Sequence, residues 1–170
     1  MKADAWAAAR QSIQIEQSAI GDVLASLDEA SLSRAVAAVV AAPRVITCAS
    51  GSSGIAAMKL AHSLCCIEQP AKFMPPSEAI HGGLGCVQPG DAVIMVSRGG
   101  KTAELLPIID VVKKKKAVLI AVTENLASPL GMQADVLLRL KIASESDPLN
   151  LMATSSFVAT LAVFDALLAA

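Results

Sequence analysis

Two short stretches of this sequence concentrate hydroxyl groups and glycine: Ser50-Gly51-Ser52-Ser53-Gly54 and Ser97-Arg98-Gly99-Gly100-Lys101-Thr102. Each follows an apolar run rich in β-branched residues, and each opens a segment with helical spacing. Small residues let backbone N–H groups approach an oxyanion, hydroxyls add donors, and a helix N-terminus supplies a positive end. A phosphate is the natural guest of such a loop. Either loop alone is ordinary turn chemistry. Neither spells a Walker A loop, and neither spells GxGxxG after a strand, so a nucleotide fingerprint is absent. Two hydroxyl-rich loops without it suggest a small phosphorylated metabolite.

The elements that must hold these loops alternate regularly. Residues 4–27 and about 31–42 read as helices, the second behind a Ser31 cap and ending at Pro43. Strands are expected at 44–50, 71–75, 92–97, 117–123 and 135–141. Helices are expected at 54–66, 101–116 (with Pro107 in its second turn), 128–134 and about 150–169, and a turn-rich connection at 76–91. Short apolar strands separated by helices indicate an α/β fold: a three-layer α/β/α sandwich with a five-stranded parallel sheet. In the flavodoxin-like order 2-1-3-4-5, the strand order reverses between the first and third strands, where ligands bind in open parallel sheets. The two hydroxyl-rich loops follow those two strands.

Composition narrows the class. The 170 residues are 54% hydrophobic but only 2% aromatic, with no tyrosine, so Ala, Val, Leu and Ile carry the burial. Strands covered on both faces have this character. Fourteen basic against fifteen acidic residues leave a net charge of −1, and nothing global attracts nucleic acid or an anionic membrane. The most apolar 20-mer, Leu151 to Ala170, still carries Thr154, Ser155, Ser156, Thr160 and Asp165, which suits a membrane span poorly. The N-terminal stretch lacks the apolar run of a signal peptide. The expectation is a cytoplasmic protein of one domain spanning 1–170, with part of its apolar surface buried between subunits. Cys48, Cys65, Cys66 and Cys86 show no metal spacing and read as free thiols acting as small hydrophobes; no metal site is expected. Lys113 to Lys116 reads as a solvated run complementing a helix C-terminus.

The stretches ASGSSG, PSEAIHGGLGCVQPGD, VSRGGKTAEL, AVTENLASPLGMQAD and ESDPLNLMATSSFVATLAVFDAL, in this order, resemble the SIS (sugar isomerase) domain, and within it the arabinose-5-phosphate isomerases. The resemblance runs from about residue 10 to 170. It implies interconversion of a phosphorylated aldose and ketose through an enediol, no cofactor, and active sites between subunits of a homodimer or homotetramer. It places the phosphate cradle on Ser50, Ser52, Ser53, Ser97 and Thr102, and Gly51, Gly99, Gly100 and Lys101 of the same two loops are expected to complete the phosphate-binding set. Glu104, expected one turn into the helix after the third strand, and Glu145, in the loop after the last strand, match the two catalytic glutamates. His81 matches a histidine at the site mouth, with Glu78 either orienting it or completing an acidic helix start. His62 reads as structural. Thr154-Ser155-Ser156 begins the last helix, with hydroxyls suited either to a sugar or to a subunit interface.

Three departures from the family pattern stand out. Ser52 occupies the place of a lysine in the first loop. In the second loop a serine is lost, Lys101 replaces a glutamate, and Arg98 is added, either as a second cation of the site or pointing to solvent or to another subunit's acid. The sequence ends at Ala170, ahead of the region that carries a further histidine and, often, regulatory domains of the cystathionine-β-synthase type. Either Lys101 is expected to take over anion stabilisation, or the substrate carries negative charge beyond one phosphate. The leading expectation is a phosphosugar aldose–ketose isomerase. Its alternatives are a non-catalytic phosphosugar-binding sensor module and an isomerase of hexulose-6-phosphate type.

Overall fold

The computed structural model describes residues 4–170, leaving residues 1–3 of the expected 1–170 unit outside the described part. Helix α1 (Ala5–Ser26) starts behind Asp4, whose carboxylate accepts the Trp6 N–H at 3.0 Å. Helix α2 (Glu29–Ala41) is capped by Asp28, which accepts the Ser31 N–H at 2.7 Å. Ser31 is therefore in the first turn rather than at the cap; a carboxylate three residues earlier offers the better acceptor at a positive helix end.

The rest of the chain alternates strand and helix: β1 (Val45–Cys48), α3 (Gly51–Cys66), β2 (Ala71–Phe73), α4 (Pro76–Ile80), β3 (Ala92–Val96), α5 (Leu106–Lys114), β4 (Val118–Thr123), α6 (Pro129–Gln133), β5 (Val136–Arg139) and α7 (Ser155–Ala169). A short 3-10 turn over Gly83–Cys86 follows α4. The five strands form one sheet in the order β2-β1-β3-β4-β5, every pair parallel. The fold is the expected three-layer α/β/α sandwich.

Successive residues of a strand point to opposite faces, so each face has its own core. Val45, Ile94, Val96, Ile120 and Val122 pack with α1, α2, α3 and α7, where Phe164 is the bulkiest fully buried side chain. Ile46, Cys48, Val93, Met95 and Leu119 pack on the other face with Ile108, Ile109 and Val112 of α5 and Leu130 of α6. At the N-terminal edge of the sheet, fully buried Asp91 accepts from Arg44 at 3.1 and 3.2 Å and from the Gln88 N–H at 2.7 Å.

Three helix starts that flank the site also differ from the periodicity. Helix α3 begins at Gly51, three residues early, because Gly51 takes φ +60° and turns the chain directly into the helix. Helix α5 begins at Leu106 with Pro107 in its first turn, where a missing N–H costs nothing, so Pro107 opens the helix and does not bend it. Helix α7 begins at Ser155. The Asp147 carboxylate takes the N–H groups of Leu149, Leu151 and Met152 and holds 147–152 as a loop. The lysine run is only partly solvated: Lys113 pairs with Asp135, and Lys115 donates to the Val87 carbonyl at 2.8 Å. No described helix is long and apolar enough to cross a membrane.

Candidate active site

Strands β1 and β3 are neighbours, with Thr47 opposite Ile94 and Cys48 opposite Met95, so the loops that follow them leave the sheet side by side. In the first loop Ser50 is extended and its side chain makes no capping bond. The first bond of α3 runs from the Gly54 N–H to the Ser50 carbonyl at 3.2 Å, leaving the N–H groups of Gly51, Ser52 and Ser53 without a helical acceptor. A Cβ on Gly54 would lie 2.9 Å from the Ala49 carbonyl oxygen, so only glycine lets α3 sit this close to β1. Ser50 and Gly51 line a cleft of about 400 Å³ together with Phe73, Pro76, Ile80 and Glu104. Ser52 and Ser53 are half-buried in the first turn of α3.

The second loop is held from below. The Arg98 carbonyl accepts the Thr123 hydroxyl at 3.0 Å and the Glu124 N–H at 2.9 Å. Gly100 has φ +66°, and a Cβ there would fall 1.9 Å from Ser128 Oγ, the cap of α6. This glycine thus serves backbone shape and packing, whereas Gly99 is exposed with open space around it. Ser97 Oγ and Thr102 Oγ1 bond each other at 2.8 Å, and Lys101 is exposed. Glu104 lies in the turn before α5 rather than one turn inside it, since α5 starts at Leu106.

Glu145 is the most enclosed candidate, only 4% exposed. Its Oε1 accepts Arg98 Nη1 at 2.7 Å. Its Oε2 accepts the N–H groups of Thr154 and Ser156, each at 3.0 Å, and the Thr154 hydroxyl at 3.2 Å. Burial alone would raise this carboxyl. The hydrogen bonds from Ser156 and Thr154 at the positive end of α7, with the Arg98 charge, outweigh burial and hold it below the ordinary glutamate range. Glu145 also lines a separate cleft of about 570 Å³ between the 144–150 loop and α1. Glu104 and Glu145 therefore border different clefts of this chain.

Arg98 donates to two acids of its own chain, for besides Glu145 its Nε donates to Glu124 Oε2 at 3.0 Å. His81 is exposed at the C-terminal end of α4, directly after the cleft residue Ile80, and Glu78 sits in the first turn of that helix. His62 is exposed on α3 with Nε2 3.6 Å from Cys66 Sγ. Ser155 Oγ is buried without a hydrogen-bond partner. The site loops thus bring Ser50, Gly51 and Glu104 together, and Arg98 with Glu145 and the start of α7.

Sequence reasoning passed over Glu124, although an acid directly after a central strand is a readable signal under the same switch-point rule that selected the loops. It also passed over Ser12 and Glu16 of α1, which bond Ser146 beside Glu145 at 2.8 and 3.2 Å. These two are polar residues of a helix 130 and more positions away, and no local pattern marks them.

Comparison with known proteins bears directly on these loops. The SIS-domain family model matches residues 39–170. Arabinose 5-phosphate isomerase KdsD of Pseudomonas aeruginosa is 33% identical over 159 residues, covering 94% of this chain and 49% of that protein. The chain spans about half the length of this curated relative. A crystal structure of a Listeria monocytogenes protein proposed to be a sugar-phosphate isomerase is 38% identical. It superposes with a TM-score of 0.95 over 99% of this chain and 89% of that one. An Escherichia coli CFT073 protein solved in complex with A5P is 29% identical, with a TM-score of 0.92 over 99% and 90% of the two chains. The chain belongs to the SIS-domain family.

Proposed function

We propose that the chain is a phosphosugar isomerase that interconverts an aldose phosphate and its ketose through an enediol, with arabinose 5-phosphate as its substrate. The observation that supports this reading is the start of α3, where three N–H groups lack helical acceptors and where Ser50 and Gly51 line the cleft that Glu104 borders. The phosphate sits on Gly51, Ser52 and Ser53, with Ser97, Thr102 and Lys101 closing over it from the neighbouring loop. Fixing the phosphate lets its binding energy orient carbons several bonds away. Glu145, which borders a different cleft of the chain, acts as base where the sugar extends from the Glu104 cleft to the Arg98–Glu145 pair. Held ionised, it takes the C2 proton of the aldose and returns it to C1. Glu104 relays the proton between the two oxygens, and His81 stands at the site mouth beside Ile80. Positioned acid–base groups of this kind contribute about 10²–10⁴-fold. The reading includes a homodimer or homotetramer, in which a second copy covers the exposed Ile55, Met58 and Ile80 around the cleft.

The sensor reading draws support from Glu145, whose two oxygens are already occupied, and from Ser52, which leaves the first loop without a cation. A thermal-shift panel of pentose and hexose phosphates, followed by a ketose assay, separates the two. The expected result is stabilisation by arabinose 5-phosphate and formation of its ketose. Stabilisation without ketose from any sugar transfers the assignment to a sensor, and no stabilisation by any sugar phosphate overturns both.

A further inference from the structure

The geometry points to Arg98 as the electrophile that stabilises the enediolate oxygen during isomerisation, a role that rests on the isomerase reading. Enediolate formation moves a full negative charge onto what was a neutral carbonyl oxygen, and a preorganised cation beside the base is worth most at that moment. The first loop offers no such cation, since Ser52 stands there. On the second loop the cations are Lys101, which is exposed, and Arg98, whose guanidinium is fixed against the carboxylate assigned as the base.

A guanidinium carries five N–H donors. The Nε–H is spent on Glu124 and one Nη1–H on Glu145, so three remain without a partner among the described residues, on a side chain 37% exposed. Two acids hold the head from two directions, and the Arg98 backbone is pinned by Thr123 and Glu124, so the free edge is oriented rather than mobile. Charge decides what that edge binds. Arg98, Glu124 and Glu145 together carry one net negative charge, which disfavours a phosphate dianion. A carbonyl that is neutral on arrival and charged only in the intermediate meets no such cost.

The step balances on the residues present. The Glu145 carboxylate removes the C2 proton of the open-chain aldose, and the C2–H electron pair becomes the C1=C2 bond. The former C1=O pair settles on O1, which accepts hydrogen bonds from Arg98. The proton returns to C1 as the O2–H bond breaks and its electron pair makes the C2=O double bond of the ketone. Glu104 carries that O2 proton to O1, and Arg98 stays charged throughout.

Two readouts test this, one of them independent of turnover. Arg98→Met lowers kcat for arabinose 5-phosphate by about 10²–10³-fold while KM changes less than threefold, and Arg98→Lys recovers part of the loss. In parallel, a four-carbon phosphohydroxamate, whose anionic oxygen mimics the enediolate, binds Arg98→Met at least tenfold more weakly than it binds the wild type. Affinity for inorganic phosphate stays equal in both, which also shows the variant to be folded around an intact cradle. Hydroxamate affinity unchanged by both substitutions, or no hydroxamate binding by the wild type, overturns the inference. A wild type that binds the hydroxamate through Arg98 yet forms no ketose instead removes the isomerase reading and leaves the anion site standing.

Discussion

Gly100→Ala tests how tightly the second loop is bound to its support. Gly100 has φ +66°, and a residue with a Cβ pays about 1–2 kcal/mol in that region. The added methyl would also lie 1.9 Å from Ser128 Oγ and 2.4 Å from Ser128 Cβ, inside any tolerable contact. Ser128 cannot simply move, because its hydroxyl donates to the Asn125 carbonyl at 2.6 Å and accepts from Gly131 N–H at 3.1 Å as the α6 cap. Overpacking of this kind costs about 1–3 kcal/mol. The two effects together come to about 2–5 kcal/mol, a large share of a typical stability of about 5–15 kcal/mol. Gly99→Ala is the control, since nothing lies within 4 Å of its Cβ; it should stay within about 0.5 kcal/mol of the wild type. Urea unfolding of the three proteins measures both values, and phosphate affinity of Gly100→Ala should fall as the loop shifts. Equal stability of the two alanine variants would refute the packing argument.

Other expectations follow from the same geometry. Ser50→Ala should leave urea stability within about 0.5 kcal/mol, because the Ser50 side chain makes no capping bond, while sugar-phosphate affinity drops about fivefold or more; a stability loss without an affinity loss would remove Ser50 from the cradle. Glu145→Gln should cost about 1–3 kcal/mol at neutral pH. The folded carboxyl lies below the ordinary range, so its contribution is present above that range and is lost as pH falls through the lower folded value. The gap between wild type and Glu145→Gln should therefore shrink on acidification below about pH 4.3, and a gap constant down to pH 2 contradicts it. Burial pushes the Cys48 thiol up to about 12, so an aromatic disulfide reagent should label exposed Cys65 and Cys66 in the native protein and leave Cys48 unmodified until denaturant is added.

The sheet was readable because parallel strands buried on both faces must be continuous apolar runs, and β3 and β4 are five and six residues with hardly an interruption. Helix starts were less readable where tertiary contacts overrule periodicity. Residues 101–105 carry helical spacing, yet the Thr123 hydroxyl and the Gly100–Ser128 contact shape this stretch into turns, and Pro107 accepts the role of helix opener. The 150–154 segment looked helical for its apolar content, but Asp147 captures its N–H groups first. At the site, the small-residue loops announced themselves through composition. The partnership of Arg98 with Glu124 and Glu145 did not, since it joins three strand ends whose separation in sequence says nothing of side-chain reach.

Proton exchange at C2 of arabinose 5-phosphate in deuterated water, followed by proton NMR, reaches the heart of the account. The wild type should carry deuterium into C1 of the ketose and, by the reverse reaction, into C2 of the remaining arabinose 5-phosphate. Both Glu104→Gln and Glu145→Gln should suppress the exchange while the phosphate still binds. A wild-type protein that binds the sugar yet leaves its C2 proton in place would contradict the account.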